Sequence, residues 1–395
     1  MASQEVLREE PSRGSFINDP KVRGLIFQTV VVVLLVGGVW WIVNNVIDNL
    51  TRLHIASGFG FLRGRAGFDI SDSAIAYTSD STYGRAIIVG IINTLIVAAA
   101  GIVTASIVGF FVGIGRLSRN WLIQKICTVY VEIFRNIPPL LVIFFWYSGV
   151  LAVLPTPKES IHLPFGSLLN QRGVYFPRAV WGDGAWLIFV AFLVGIAMAW
   201  FVARKARQRQ MATGQQFPVF WTSLALIVGL PVLAYALSGF PLSFDFPKQS
   251  TFNLTGGFVV KPEFLSLYLA LSFYTAAFIA EIVRAGIRGV ARGQSEASEA
   301  LGLRSGQALR LVVVPQAMRI VIPPLASQYL NLTKNSSLAI AIGYPDLTAT
   351  AGTVLNQTGQ AIECVLIMMA VYLSISLLTS LFMNWFNAKM ALVER

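Results

Sequence analysis

Long uncharged apolar runs alternate with shorter polar segments along most of this chain. A membrane-spanning helix needs about 20 predominantly apolar residues. Six runs meet or approach that length without a charge: residues 24–47, 86–114, 136–154, 184–203, 221–240 and 365–388. Two more are interrupted. Residues 264–280 continue past Glu281 to about Ile287, and residues 320–343 carry one charge, Lys334. The pattern predicts an all-α polytopic membrane protein with eight transmembrane helices.

Composition narrows the class. The chain has 395 residues, 55% hydrophobic and 12% charged, whereas soluble globular proteins carry roughly 25% charged residues. The net charge of +11 suggests nucleic acid until its distribution is considered. With the N-terminus inside, the inner segments hold 19 Lys and Arg and the outer segments 9. The positive-inside rule then places both termini in the cytoplasm and predicts no nucleic-acid partner. The first apolar run is 24 residues long. Cleaved signal peptides have apolar cores of about 7–15, so this run reads as a retained anchor. Cys127 and Cys364 lie in or beside apolar runs and read as core filling.

Three regions follow. Residues 1–85 form an anchor helix and an outside loop. Residues 86–387 form the main membrane domain, with an inserted segment at 150–262 that adds two helices and proline-bearing outside loops. A short tail, 388–395, ends the chain. No Gly-Lys dipeptide occurs, so a phosphate-cradling G-x4-G-K-[ST] loop is absent. If ATP drives this protein, another chain binds it together with magnesium.

One polar stretch stands out inside the main domain, within a cytoplasmic loop at 294–315. Glu296-Ala297-Ser298-Glu299-Ala300-Leu301-Gly302 is followed nine residues later by Val312-Val313-Val314-Pro315. Ser295 can cap a short helix, and Glu296 and Glu299 suit its positive N-terminal end. Ala297, Ala300 and Leu301 fall at i, i+3 and i+4, a narrow face able to enter a partner's groove. Gly302 can take the left-handed conformation that ends the helix, and Pro315 suits the first turn of the next.

This stretch resembles the E-A-A-x3-G coupling loop of ABC importer permeases. Other residues carry the likeness further: Gly90-Ile91-Ile92-Asn93-Thr94-Leu95; Tyr130-Val131-Glu132-Ile133-Phe134-Arg135-Asn136-Ile137-Pro138-Pro139; Ala277-Phe278-Ile279-Ala280-Glu281-Ile282-Val283-Arg284; Pro315-Gln316-Ala317-Met318-Arg319; and Leu332-Thr333-Lys334-Asn335-Ser336-Ser337-Leu338. Together they resemble the histidine/glutamine/polar amino-acid branch of that family. The anchor helix and the 150–262 insertion are similar to the longer subunits of general L-amino-acid permeases and of the related glutamate/glutamine/aspartate/asparagine permeases. Ser298 stands where the family has Ala, and Asn136-Ile137 where it has Gly-Thr.

The resemblance implies a type I ABC importer permease fold in a bacterial inner membrane, and a transport role without catalysis. It implies an ABC ATPase subunit, a second homologous permease subunit, a periplasmic amino-acid-binding protein and an L-amino acid substrate. It assigns ATPase coupling to Glu296, Ala297, Ser298, Gly302, Val312 and Pro315. The chain itself would bind no cofactor, ATP and magnesium belonging to the ATPase. The rival reading is an ion-coupled secondary transporter or channel working alone, which should show two similar halves or paired interrupted helices; neither is visible.

Charge at membrane depth is costly and marks candidate function. Lys334 shares a helical face with Ser327, Gln328 and Asn331, beside Pro323-Pro324. That stripe either lines a substrate path or ties its helix to neighbours by hydrogen bonds. Ser272 and Thr275, one turn apart, can offer hydroxyls to a substrate. Glu281 either serves the path or pairs with Arg284 and Arg288. Arg135 is a topology anchor or a partner for a carboxylate. His54 and His162 fall in outside loops.

Overall fold

The protein is described by a computed structural model covering residues 20–52, 57–250 and 254–390. Its packed centre is built by small residues. Helix α2 (Tyr83–Gly115) opens where Thr82 accepts the backbone N–H of Arg85. It then places Gly101, Ala105, Gly109 and Gly113 on one buried stripe. A Cβ added at Gly109 would lie 2.6 Å from Cβ of Ile279, and one at Gly113 2.8 Å from the Ala280 carbonyl oxygen. The backbones of α2 and α7 (Pro262–Arg288) therefore meet almost directly, as small-residue stripes allow within a membrane.

Helix α7 is the hub. It packs on α2, on α3 (Trp121–Asn136), on α4 (Pro139–Phe144) and on α10 (Val314–Asn335). Leu332 of α10 also fills the space left by Gly101. The end of the bundle near the start of α2 is closed by α11 (Leu347–Thr358), whose N-cap Asp346 accepts the N–H of Ala349 at 2.8 Å. Helix α12 (Ala361–Met390) covers α10 and α11.

The predicted span at 136–154 is not one straight helix. The chain forms α3, then bends by 111° into Pro139–Leu151. Pro138 explains the break: it drives Ile137 to extended backbone (φ −104°, ψ 134°), and Pro139 starts α4 in its first turn. The described residues hold seven helices long and apolar enough to cross a membrane, or up to eight with the bent pair as one span.

The prediction of an all-α chain is also corrected. Short antiparallel strands form within residues 161–181 and 242–260. β1 (Ile161–Leu163), β2 (Ser167–Asn170), β3 (Gly173–Phe176) and β8 (Phe258–Val260) make one sheet in that order. β4 (Arg178–Trp181) pairs with β5 (Leu242–Asp245), and β6 (Lys248–Gln249) with β7 (Leu254–Thr255). Asn170 accepts the Arg172 N–H at 2.8 Å and turns β2 into β3. Gly173 has φ +116°, and a side chain there would strike the Val260 carbonyl.

Between these strands rise α5 (Trp186–Thr213) and α6 (Val219–Leu237), packed chiefly on each other. A Cβ at Gly195 would lie 2.6 Å from the Leu226 carbonyl oxygen, so α5 and α6 also approach closely. Helix α1 (Pro20–Arg52) has no buried residue. The loop after it is tied down outside the core: Gly58 N–H donates to Glu363 at 2.6 Å, and Asn93 Nδ2 donates to the Asp72 carbonyl at 2.8 Å and to the Pro345 carbonyl at 2.9 Å. His54 lies outside the described residues, as does most of the 388–395 tail.

Candidate functional site

The polar stretch forms α8 (Arg292–Ala300), starting three residues before the predicted Ser295 cap, with Ala291 at the N-cap. Ser295 is thus inside the helix. The C-terminal end follows the glycine prediction: Gly302 has φ +76°, its N–H bonds Glu299 O at 2.9 Å, and Leu303 N–H bonds Ser298 O at 3.1 Å. These two bonds satisfy carbonyls that a helix end otherwise leaves open.

Glu296, Ala297, Glu299, Ala300 and Leu301 are exposed, Leu301 by 81%. Ser298 is the inward residue, 3% exposed, and its hydroxyl donates to Ser295 O at 2.7 Å. A serine fits this small site because its one polar atom finds a partner within the same turn. Beyond α8 come the short helix α9 (Ser305–Ala308), a π-helical turn over Leu309–Val313 that contains Val312, and Pro315 in the first turn of α10. Gln316 Nε2 of α10 donates to Gln294 Oε1 of α8 at 3.0 Å. That bond joins α8 to α10.

The remaining candidates separate into three places. Asn331, Lys334 and Ser327 are exposed on one face of α10 with Pro323 and Pro324, and Gln328 is half-buried at its edge. The Lys334 ammonium makes no ion pair among the described residues. Ser272 and Thr275 do not share that surface. They are 1% and 3% exposed within the packed face of α7, and the Ser272 hydroxyl has no hydrogen-bond partner among the described residues.

Glu281 and Arg135 meet in a third place. Glu281 accepts hydrogen bonds from both Arg284 and Arg116, and Arg135 approaches it to 3.8 Å. Arg288, expected as a partner, is replaced by Arg116 at the end of α2. Arg135 also stands over the Phe278 ring at 5.7 Å, and Arg116 lies 3.9 Å from Glu132. The cluster ties α2, α3 and α7 together at the ends that carry Arg116, Arg135 and Glu281. Arg116 is 9% exposed, and a buried guanidinium is tolerable only with such carboxylate partners.

A family model described as "Binding-protein-dependent transport system inner membrane component" matches residues 203–392. The chain is 65% identical over 381 residues to the "General L-amino acid transport system permease protein AapQ" of Rhizobium johnstonii, covering 96% of this chain and 95% of that protein. The chain belongs to this family of ABC permeases. It is also 51% identical to the "Putative amino-acid ABC transporter permease protein YhdX" of Escherichia coli, over 96% of this chain and 97% of that one. With the "Glutamate/glutamine/aspartate/asparagine transport system permease protein BztB" of Rhodobacter capsulatus it shares 41% identity, over 98% and 100% of the two chains. The protein is therefore an inner-membrane permease subunit and not a catalyst.

Two features of the permease escaped sequence reasoning. Nothing local to Arg116 marks it as a partner of Glu281, and only the approach of positions 165 residues apart brings the two together. The Gln294–Gln316 bond joins residues already noted near the coupling loop. Their reach across 22 positions is set by how α8 lies under α10.

Proposed function

We propose that this permease is one of two homologous membrane subunits of an ATP-driven importer for L-amino acids, fed by a soluble periplasmic binding protein. The observation that carries the coupling half is the exposed small-residue face of α8, held by Gln294–Gln316 to α10. A face of Ala297, Ala300 and Leu301 left exposed among the described residues suits insertion into a groove of an ATPase, where ATP and magnesium are bound. The amino-acid half is supported by what the three relatives are named for.

In this reading α10 presents Ser327, Asn331 and Lys334 to the space between the two permease subunits. A free amino acid carries a carboxylate and an ammonium into that space, and each needs a polar partner once water is withdrawn. Movement of α8 passes through Pro315 and Gln316 into α10, which changes the side to which the stripe opens. Eight spans put both termini and α8 in the cytoplasm. A cysteine at Ser305 is then shielded from an impermeant thiol reagent outside whole cells, while one at Ser250 is labelled once the outer membrane is permeabilised. The opposite labelling overturns the orientation.

The deciding experiment is reconstitution of the permease, its second subunit and the ATPase in liposomes with loaded binding protein outside. Labelled L-amino acid should accumulate only with ATP inside. Uptake by the permease alone, driven by an ion gradient, would establish the solitary-transporter reading instead.

A further inference from the structure

The inner end of the α5–α6 hairpin carries chemistry that neither coupling nor transport uses. Arg204, Lys205, Arg207 and Arg209 lie within two turns of α5, all exposed, and no acidic residue occurs between Asp183 and Asp245. None of the four forms an ion pair among the described residues. The other inner cations are placed differently, with Arg116, Arg135 and Arg284 held around Glu281.

Aromatic rings mark the level of these charges. Trp200, Phe201, Phe220 and Trp221 are 62%, 53%, 70% and 69% exposed at the same end of the hairpin. Such rings gather where acyl chains meet headgroups. Arg204 folds back over Trp200 at 5.5 Å and Lys205 over Phe201 at 4.9 Å, which holds both cations at that level. Beside them Phe201, Val202, Lys205, Arg209 and Phe217 line an open groove of about 560 Å³. Arg209 donates to Gln215 at 2.9 Å and steadies the far wall. The groove is apolar along one side and cationic at its mouth.

We propose that this groove binds an anionic phospholipid, with an acyl chain against Phe201, Val202 and Phe217 and the headgroup phosphate between Lys205 and Arg209. Arg204 and Arg207 add attraction from the flanks. The occupant must be both negative and apolar, and an anionic lipid satisfies both conditions from the membrane that already surrounds α5 and α6. An ATPase surface would match the charges and leave the exposed rings without a role. The proposal needs residues 200–217 to lie at a membrane surface and is independent of what the permease carries.

The test uses the full permease–ATPase complex in nanodiscs of equal parts phosphatidylglycerol and phosphatidylcholine, with tightly retained lipid measured by native mass spectrometry. A cation near an anionic surface contributes about fivefold, equivalent to about 1 kcal/mol, so the wild type should enrich phosphatidylglycerol at least ~3-fold. Combined Arg204→Gln, Lys205→Gln, Arg207→Gln and Arg209→Gln should abolish the enrichment, and Arg204→Lys, Arg207→Lys and Arg209→Lys together should preserve it. A photoactivatable phosphatidylglycerol on the wild-type complex should label peptides within 200–217, which decides the matter even if the Gln variant folds poorly. Equal retention of both lipids, labelling confined to other segments, or unchanged enrichment with loss of the ATPase from the Gln variant would each overturn the proposal. The last result would give the patch to the ATPase.

Discussion

Helices α2 and α5 are equally apolar by sequence, yet 50% of the apolar window of α2 is buried inside the chain and only 11% of that of α5. The difference lies in where small residues fall and what meets them. In α2 the stripe from Gly101 to Gly113 faces two elements, α7 and α10. In α5 Gly195 and Ala199 face α6 alone, and the rest of the helix presents large side chains outward. Hydropathy reports that a segment belongs in the bilayer. It does not report whether protein or lipid covers it, because hydrocarbon tails are as apolar as leucine.

The largest test exchanges a glycine in each region. Gly109→Leu should be unable to pack, since its Cβ would lie 2.6 Å from Ile279 and 2.9 Å from the Ala276 carbonyl oxygen. A loss of about 3 kcal/mol or more follows from such overpacking, read as collapse of membrane yield and thermal stability. Gly229→Leu in α6 meets nothing within 4 Å and should change stability by no more than about 0.5 kcal/mol. Equal tolerance at the two sites would erase the distinction.

Next comes the exposed surface of α8, where geometry matters more than packing. Gly302 has open space for a Cβ but a φ of +76°, so Gly302→Val costs about 1–2 kcal/mol through backbone strain. The protein should still reach the membrane while uptake falls sharply. Normal substrate-stimulated ATP turnover together with normal uptake would remove α8 from the coupling path.

Lys334→Met probes the exposed face of α10. If the ammonium holds substrate, removing one side of a charge pair costs roughly 3–5 kcal/mol of that interaction, while the fold is untouched. Uptake should fail although the binding protein loads and ATP is hydrolysed. Unchanged uptake across several amino acids would make Lys334 a structural residue.

A pH-dependent test lies where α11 packs on α2. Burial pushes the Asp346 carboxyl up to about 6, partly opposed by the Ala349 N–H it accepts. Its ionised form is thus disfavoured in the folded protein above that pH. The penalty, at most about 3 kcal/mol, fades as pH falls from 6 towards the unfolded value near 4. Asp346→Asn keeps a capping side chain and lacks the charge. Its gain in melting temperature over the wild type should be visible at pH 7.5 and shrink at pH 5. A pH-independent difference would show that the cap, not the charge, governs this end.

Legibility followed the range of the interactions. The apolar runs gave the long helices because solvation acts residue by residue, and Gly302 was readable because a helix end is a local event. Helix α3 was partly hidden, since Lys125, Glu132 and Arg135 interrupt its amphipathic face and a search for uncharged runs passes over it. The bend at Ile137-Pro138-Pro139 had its cause in plain view, yet the direction of the chain beyond it depends on packing against α7. Strands β1–β8 are two to four residues each, too short for alternation to rise above the proline-rich composition. Ser272 and Thr275 lie on the buried side of α7. Nothing local distinguishes a face turned to a neighbouring helix from one turned to a cavity.

The pairing of β3 with β8 has a consequence for how such a chain can be rebuilt. Phe176 stands opposite Phe258 in that ladder, so the backbone departs towards α5 and returns from α6 through one doorway. A two-residue Asn-Gly turn between Phe176 and Phe258 suits such a closure and omits the whole excursion while α4 still leads to α7. The α5–α6 hairpin therefore hangs from the rest of the chain at a single paired point.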